Sequence, residues 1–136
     1  MKIKDLYGCE YAEQEWYPLP KWYNQLIDKT TEEITPGDVA RMLRQEVLPD
    51  LAMTKAIEFL RENPFAGELY EGEILTAIAG REASLLTPYA EELMVILRDA
   101  LEKITVCEWS YDGEAEELKE IVDSVARNLV YGMADT

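Results

Sequence analysis

Histidine is absent from this 136-residue chain, which removes the side chain most often used to move protons near neutral pH. Ser-His-Asp and Cys-His mechanisms are thereby excluded. Cysteine is scarce. Cys9 and Cys107 lie far apart and outside any metal-ligand spacing, so they read as two incidental, reduced thiols. Each stands beside a carboxylate, Glu10 or Glu108, the wrong neighbour for an activated thiolate. The 7 glycines include no phosphate-cradling loop that ends in Gly-Lys-Ser/Thr. Long apolar runs are missing too. The best candidate, Leu93 to Leu97, is bracketed by Glu91, Glu92, Arg98 and Asp99, far short of the roughly 20 residues that span a bilayer. The N-terminal segment has lysines but no continuous apolar stretch, so no secretory signal is expected and the cytoplasm is the expected address. No cofactor is expected.

Positive charge is the other shortage. The chain has 13 Lys and Arg against 28 Asp and Glu, a net charge of −15. A field of that sign repels nucleic acid, whose binding requires phosphates to be neutralised, and it disfavours anionic membranes. It attracts a basic protein and speeds the encounter. Solubility alone would also account for an acidic surface. The excess is uneven: residues 1–70 carry 13 acids and 8 bases, residues 71–136 carry 15 and 5.

What is present is material for one packed domain. Nearly half of the residues are hydrophobic, enough for a core without metal or disulfide. Residues 1–18 show little periodicity but hold Tyr7, Tyr11, Trp16 and Tyr17. They read as an aromatic, extended arm with room for short helical turns, Trp16 packing on the core and the tyrosines open to a binding role. Helical spacing begins near Pro20 with Trp22, Tyr23, Leu26 and Ile27. After a polar connection from Lys29 to Thr35, Thr35 is an N-cap, Pro36 takes the first helical position, and Asp38 favours the positive helix end. Val39, Met42, Leu43 and Val47 follow on one face. Pro49 opens the next helix, with Met53, Ala56, Ile57 and Leu60, and Asn63-Pro64 ends it. Tyr70, Ile74 and Ile78 outline a short helix stopped by Gly80, and residues 81–86 read as a linker. Thr87-Pro88 repeats the cap-plus-proline start. The helix that follows is apolar over a wide arc, with Tyr89, Leu93, Ile96, Leu97, Ala100 and Ile104 widened by Met94, Val95 and Leu101, and so is expected to be central. Residues 104–111 fit a helix end, a loop or an extended segment equally well. A last helix carries Leu118, Ile121, Val122, Val125 and Leu129 and ends near Gly132. No stretch alternates with period two. The expected fold is all-α: a single domain over residues 1–136, an irregular, orthogonal bundle of five to six helices with an N-terminal arm.

Carboxylates are the only reactive groups in quantity. Glu68, Glu71 and Glu73 cluster before one helix and Glu91-Glu92 near the start of another. Such groups can hold a divalent ion or share acid–base work, but near helix starts they are ordinarily solvated. The better functional candidate is the acidic stretch of Glu108, Asp112, Glu114, Glu116, Glu117, Glu120 and Asp123, with Lys119 as its single base. Crowded like charges repel, so their accumulation suggests a docking surface for a basic partner, with Trp109 and Tyr111 as apolar anchors. Arg41 and Arg44 are expected to pair with carboxylates such as Asp38 or Glu33 and fix helix packing.

From Leu19 to Leu75 the chain resembles the immunity proteins of bacterial contact-dependent growth-inhibition systems. The resemblance rests on Leu19-Pro20, Lys29, Glu32-Glu33, Thr35, Asp38-Val39, Arg41, Arg44-Gln45, Asn63-Pro64, Gly67, Tyr70, Gly72 and Glu73. Ile34 stands where leucine is usual, and Glu73 where aspartate is common. The resemblance implies a small cytoplasmic helical protein that occludes a cognate toxin domain, often a basic nuclease, and implies no catalysis. It assigns no contact residue. Two other readings remain open: an acidic helical adapter for a basic endogenous protein, and an enzyme using paired carboxylates and a metal.

Overall fold

The computed structural model describes residues 1–106 and 113–134. Eight helical segments follow one another there: α1 (Ile3–Tyr7), α2 (Pro18–Ile27), α3 (Pro36–Gln45), α4 (Pro49–Glu62), α5 (Glu73–Ala79), α6 (Ala83–Leu86), α7 (Ala90–Val106) and α8 (Glu114–Ala134). Tight 3₁₀ turns lie at Thr31–Glu33 and Thr87–Tyr89. The described residues contain no strand, only an isolated antiparallel bridge between Lys2 and Thr30. The expected all-α domain is what forms, with short α1 and α6 added to six longer helices.

Local chemistry sets several helix starts. Thr35 accepts from the Asp38 N–H while the Asp38 carboxylate accepts from the Thr35 N–H, a reciprocal capping box at α3. Proline stands in the first turn of α2, α3 and α4, where its missing N–H costs nothing. The first of these comes two residues earlier than the periodicity indicates, at Pro18, because the proline itself pre-sets the helical φ.

Helix α3 packs on α4 and α5, α5 on α8, and α8 also on α6 and α7. The central element is therefore the short α5. Glu73, Ile74, Leu75, Ala77 and Ile78 are all buried, and no residue of α5 is exposed. The expectation that α7 touches more than one neighbour holds, since it packs on α8 and on α4, but Met94, Val95 and Leu101 are exposed, and the buried stripe is Leu93, Ile96, Leu97 and Ala100. The outer part of its wide apolar arc is surface.

Other expectations are corrected as well. Trp16 is 74% exposed, not core. Residues 81–86 are no plain linker, since Ala83–Leu86 form α6 and bury Leu86. Thr87 is no N-cap; its backbone is already helical and its hydroxyl donates back to the Ala83 carbonyl, so α7 begins only at Ala90. Tyr70 precedes α5 and is exposed. Of residues 104–111, Ile104 to Val106 close α7, and the others lie outside the described residues.

Candidate functional site

Helix α8 divides cleanly by face. Leu118, Val122, Val125 and Leu129 recur at spacings of four, three and four and are buried, toward α5 and α7. Glu116, Glu120 and Asp123, at spacings of four and three, fall on the outward side, and all are exposed, as are Glu117 and Lys119. Glu114, Glu116 and Glu117 stand in the first turn, where the helix dipole favours negative charge. Arg127 continues the outward stripe and ends its acidic part. Of the nine residues expected to form a docking surface, Glu116, Glu117, Glu120 and Asp123 are thus brought together on one open face. Glu114 is not among them, because its side chain is turned into the buried side. Glu108, Trp109, Tyr111 and Asp112 lie outside the described residues.

Apolar surface does exist on the same helical pair. Met94, Val95 and Leu101 on α7 and Val130 on α8 are exposed. Their legible signal was the excess width of the α7 apolar arc, which looked like core.

The polar residues of the Leu19–Leu75 pattern do something different. Asp38 gathers three donors: Lys29 Nζ at 2.6 Å, the Thr35 N–H at 3.1 Å and Trp22 Nε1 at 3.0 Å. It thereby ties α2, the Lys29–Thr35 connection and α3 into one unit. Burial alone would raise the Asp38 carboxyl, but the bonds from Lys29, Thr35 and Trp22 outweigh it and hold the group below the usual carboxylate value. Glu33 is lowered by the Thr30 N–H and hydroxyl, which it caps. Arg41 lies over the Trp22 ring, 4.8 Å from its centroid. Arg44 reaches Glu73 at 3.6 Å. The two arginines thus serve packing as expected, but through an aromatic face and through Glu73 in place of Asp38 or Glu33.

Glu73 departs furthest from its sequence reading as a solvated acid. It is 1% exposed. One carboxylate oxygen accepts from the Glu68 and Leu69 N–H groups, at 2.9 and 3.2 Å, and so closes the loop before α5. The other is buried without a hydrogen-bond partner among the described residues and faces Arg44. Two glycines make room for this loop. A Cβ on Gly67 would collide with the Tyr70 carbonyl oxygen, and Gly72 has φ of +81° with Leu118 of α8 against it. Glu68 and Glu71 remain exposed.

Among the described residues no three His, Cys, Asp or Glu side chains converge on a metal position. No helix there is long and apolar enough to cross a membrane. The shared pattern is scaffold, and the open acidic face of α8 is the candidate site. A family model of CDI immunity proteins matches residues 5–96, more than half of the chain, and stops short of α8. No curated protein matches the chain.

Proposed function

The chain belongs to the CDI immunity proteins, and from that membership we propose that it neutralises one cognate toxin domain of positive charge, a nuclease by class, in the cytoplasm of the cell that makes it. Membership points to an inhibitor rather than an enzyme. The observation that carries the finer reading is the outward stripe of Glu116, Glu120 and Asp123 on α8, flanked by Glu117, in a chain of net charge −15. A nuclease must be basic where it holds phosphates, and such a surface complements this one. The stripe lies beyond the residues that the family model matches, which suits a feature that singles out one partner. The adapter reading has no observation of its own in its favour.

Exposed charges act mainly on encounter: they raise the association rate and lose their effect as salt screens them. Reversing Glu116, Glu117 and Glu120 together to lysine is expected to slow association with the cognate toxin domain by about tenfold at low salt. Dissociation should change little. The check is binding kinetics across an ionic-strength series. An association rate indifferent both to salt and to the triple reversal would remove the charge argument.

A further inference from the structure

The N-terminal arm presents a second, unrelated surface. Its backbone is held firmly. Ile3 is fully buried and its N–H donates to the Lys29 carbonyl at 2.8 Å. Asn24, buried in α2, accepts from the Ala12 N–H at 2.7 Å and donates to the Ala12 carbonyl at 3.1 Å and to Glu15 at 3.2 Å. Yet Leu6, Tyr7, Tyr11, Trp16, Tyr17 and Leu19 all stand exposed on this fixed backbone. Tyr11 has a structural task, its hydroxyl bridging Lys4 and Asp28, but Trp16 and Tyr17 pack on each other and are otherwise open to water, and large exposed apolar groups held on a fixed backbone mark contact sites. Trp and Tyr are the side chains that most often carry binding energy.

Beside them runs a groove of about 330 Å³, lined by Ala12, Leu19, Pro20, Trp22, Tyr23 and Val47, with Gln45 its only amide side chain. The volume is near the lower end for a ligand pocket, about 300 to 1,000 Å³, and the lining offers few polar groups to orient a small molecule. It suits an apolar side chain of another protein. The surrounding charge says which kind. Asp5, Glu10, Glu13 and Glu15 are interleaved with the aromatics and exposed. The fold itself shows how these rings accept cations: Lys4 sits 4.6 Å from the Tyr11 centroid and Arg41 4.8 Å from that of Trp22. Trp16 and Tyr17 pack on each other at 5.9 Å and are not among the rings so covered in the described residues.

We infer that this groove and the Trp16–Tyr17 pair hold a segment of the toxin polypeptide in which an apolar side chain is flanked by lysine or arginine. The apolar group enters the groove, a cation lies on the Trp16 face, and the arm carboxylates meet its neighbours. The inference rests on the immunity reading for the identity of the partner. It separates two tasks, since α5 lies between α3, against which the arm's helix α2 is tied by Asp38, and α8: the α8 acids draw the toxin in, and the arm grips it. A second copy of this chain is a poor occupant, because two surfaces of the same negative sign repel.

Trp16→Ala and Tyr17→Ala, singly and together, test this with the full chain and the toxin domain. Both side chains are exposed, so the urea midpoint should match wild type. The double variant should dissociate roughly thirtyfold faster with an association rate near that of wild type, the reverse of the α8 signature. Wild-type dissociation in a folded double variant overturns the inference and leaves the immunity reading standing. Conversion of a dimer of this chain alone to monomer by Trp16→Ala also overturns it. Absence of any complex with the wild-type chain overturns both.

Discussion

The Asp38→Ala protein is expected to lose about 3 to 5 kcal/mol of folding stability, the usual cost of taking one partner from a buried, hydrogen-bonded ion pair. Three donors lose their acceptor at once: the Lys29 ammonium, the Thr35 N–H and the Trp22 indole. Lys29 is about a third exposed and can turn to water, which places the loss toward the lower end. The indole of Trp22 is only half-buried but would be left facing an apolar side chain. Urea unfolding should show the midpoint fall by roughly 1 M or more at an m-value of about 1–3 kcal/mol/M. Asp38→Asn keeps an acceptor for the indole and should fall between. An unchanged midpoint in the alanine protein would show that the Asp38 hub is incidental to the fold.

Acid provides a second handle on the same group. The Asp38 carboxyl is held below its ordinary 3.8. Its contribution is therefore complete above that value and is lost as pH falls through the lower, folded one. The wild-type chain should accordingly lose stability below pH 3.8 more steeply than Asp38→Asn does. Asp28 and Glu33 are shifted in the same direction but lie at the surface, where water and salt screen them.

Glu73→Ala is expected to be comparably costly, about 3 kcal/mol or more, because it frees two loop N–H groups and leaves a cavity beside the central helix. Glu71→Ala, two residues away and exposed, should change stability by no more than about 0.5 kcal/mol. Thermal or urea unfolding of the pair decides it. Equal effects would mean that the burial of Glu73 does not matter energetically. Within this three-acid cluster the immediate neighbours, all of them glycines, acids and apolar residues, do not distinguish the three glutamates, and only the family pattern, which includes Glu73 and neither Glu68 nor Glu71, singles one out. What selects Glu73 is the turn at Gly67 and the left-handed backbone of Gly72, which roll the chain so that one carboxylate points inward.

The same logic explains what was legible and what was not. Thr35, Pro36 and Asp38 carry their instruction locally, within one turn, so the start of α3 is readable from its residues alone. Pro49 and Asn63-Pro64 bound α4 for the same reason. The acidic outward face of α8 follows from helical spacing, apart from Glu114, whose inward turn depends on where neighbouring helices lie. Long-range facts were hidden. Nothing within seven residues tells that α5 is enclosed by α3 and α8, nor that Trp16, the largest apolar side chain in the arm, faces water. Large aromatic rings signal core and contact surface with the same letters, and only packing distinguishes them.

The position of α5 has a consequence for how such a protein can diversify. Its floor is supplied by α3, inside the span common to the family, and its roof by α8, outside that span. A lineage can therefore rewrite the outer half of its last helix freely, provided the inward rungs at Leu118, Val122, Val125 and Leu129 still seat on the same short rod. If the toxin docks on the outer face of α8, as proposed, recognition and architecture stand on opposite sides of one cylinder, and a new adversary can be met by editing letters that the interior never reads.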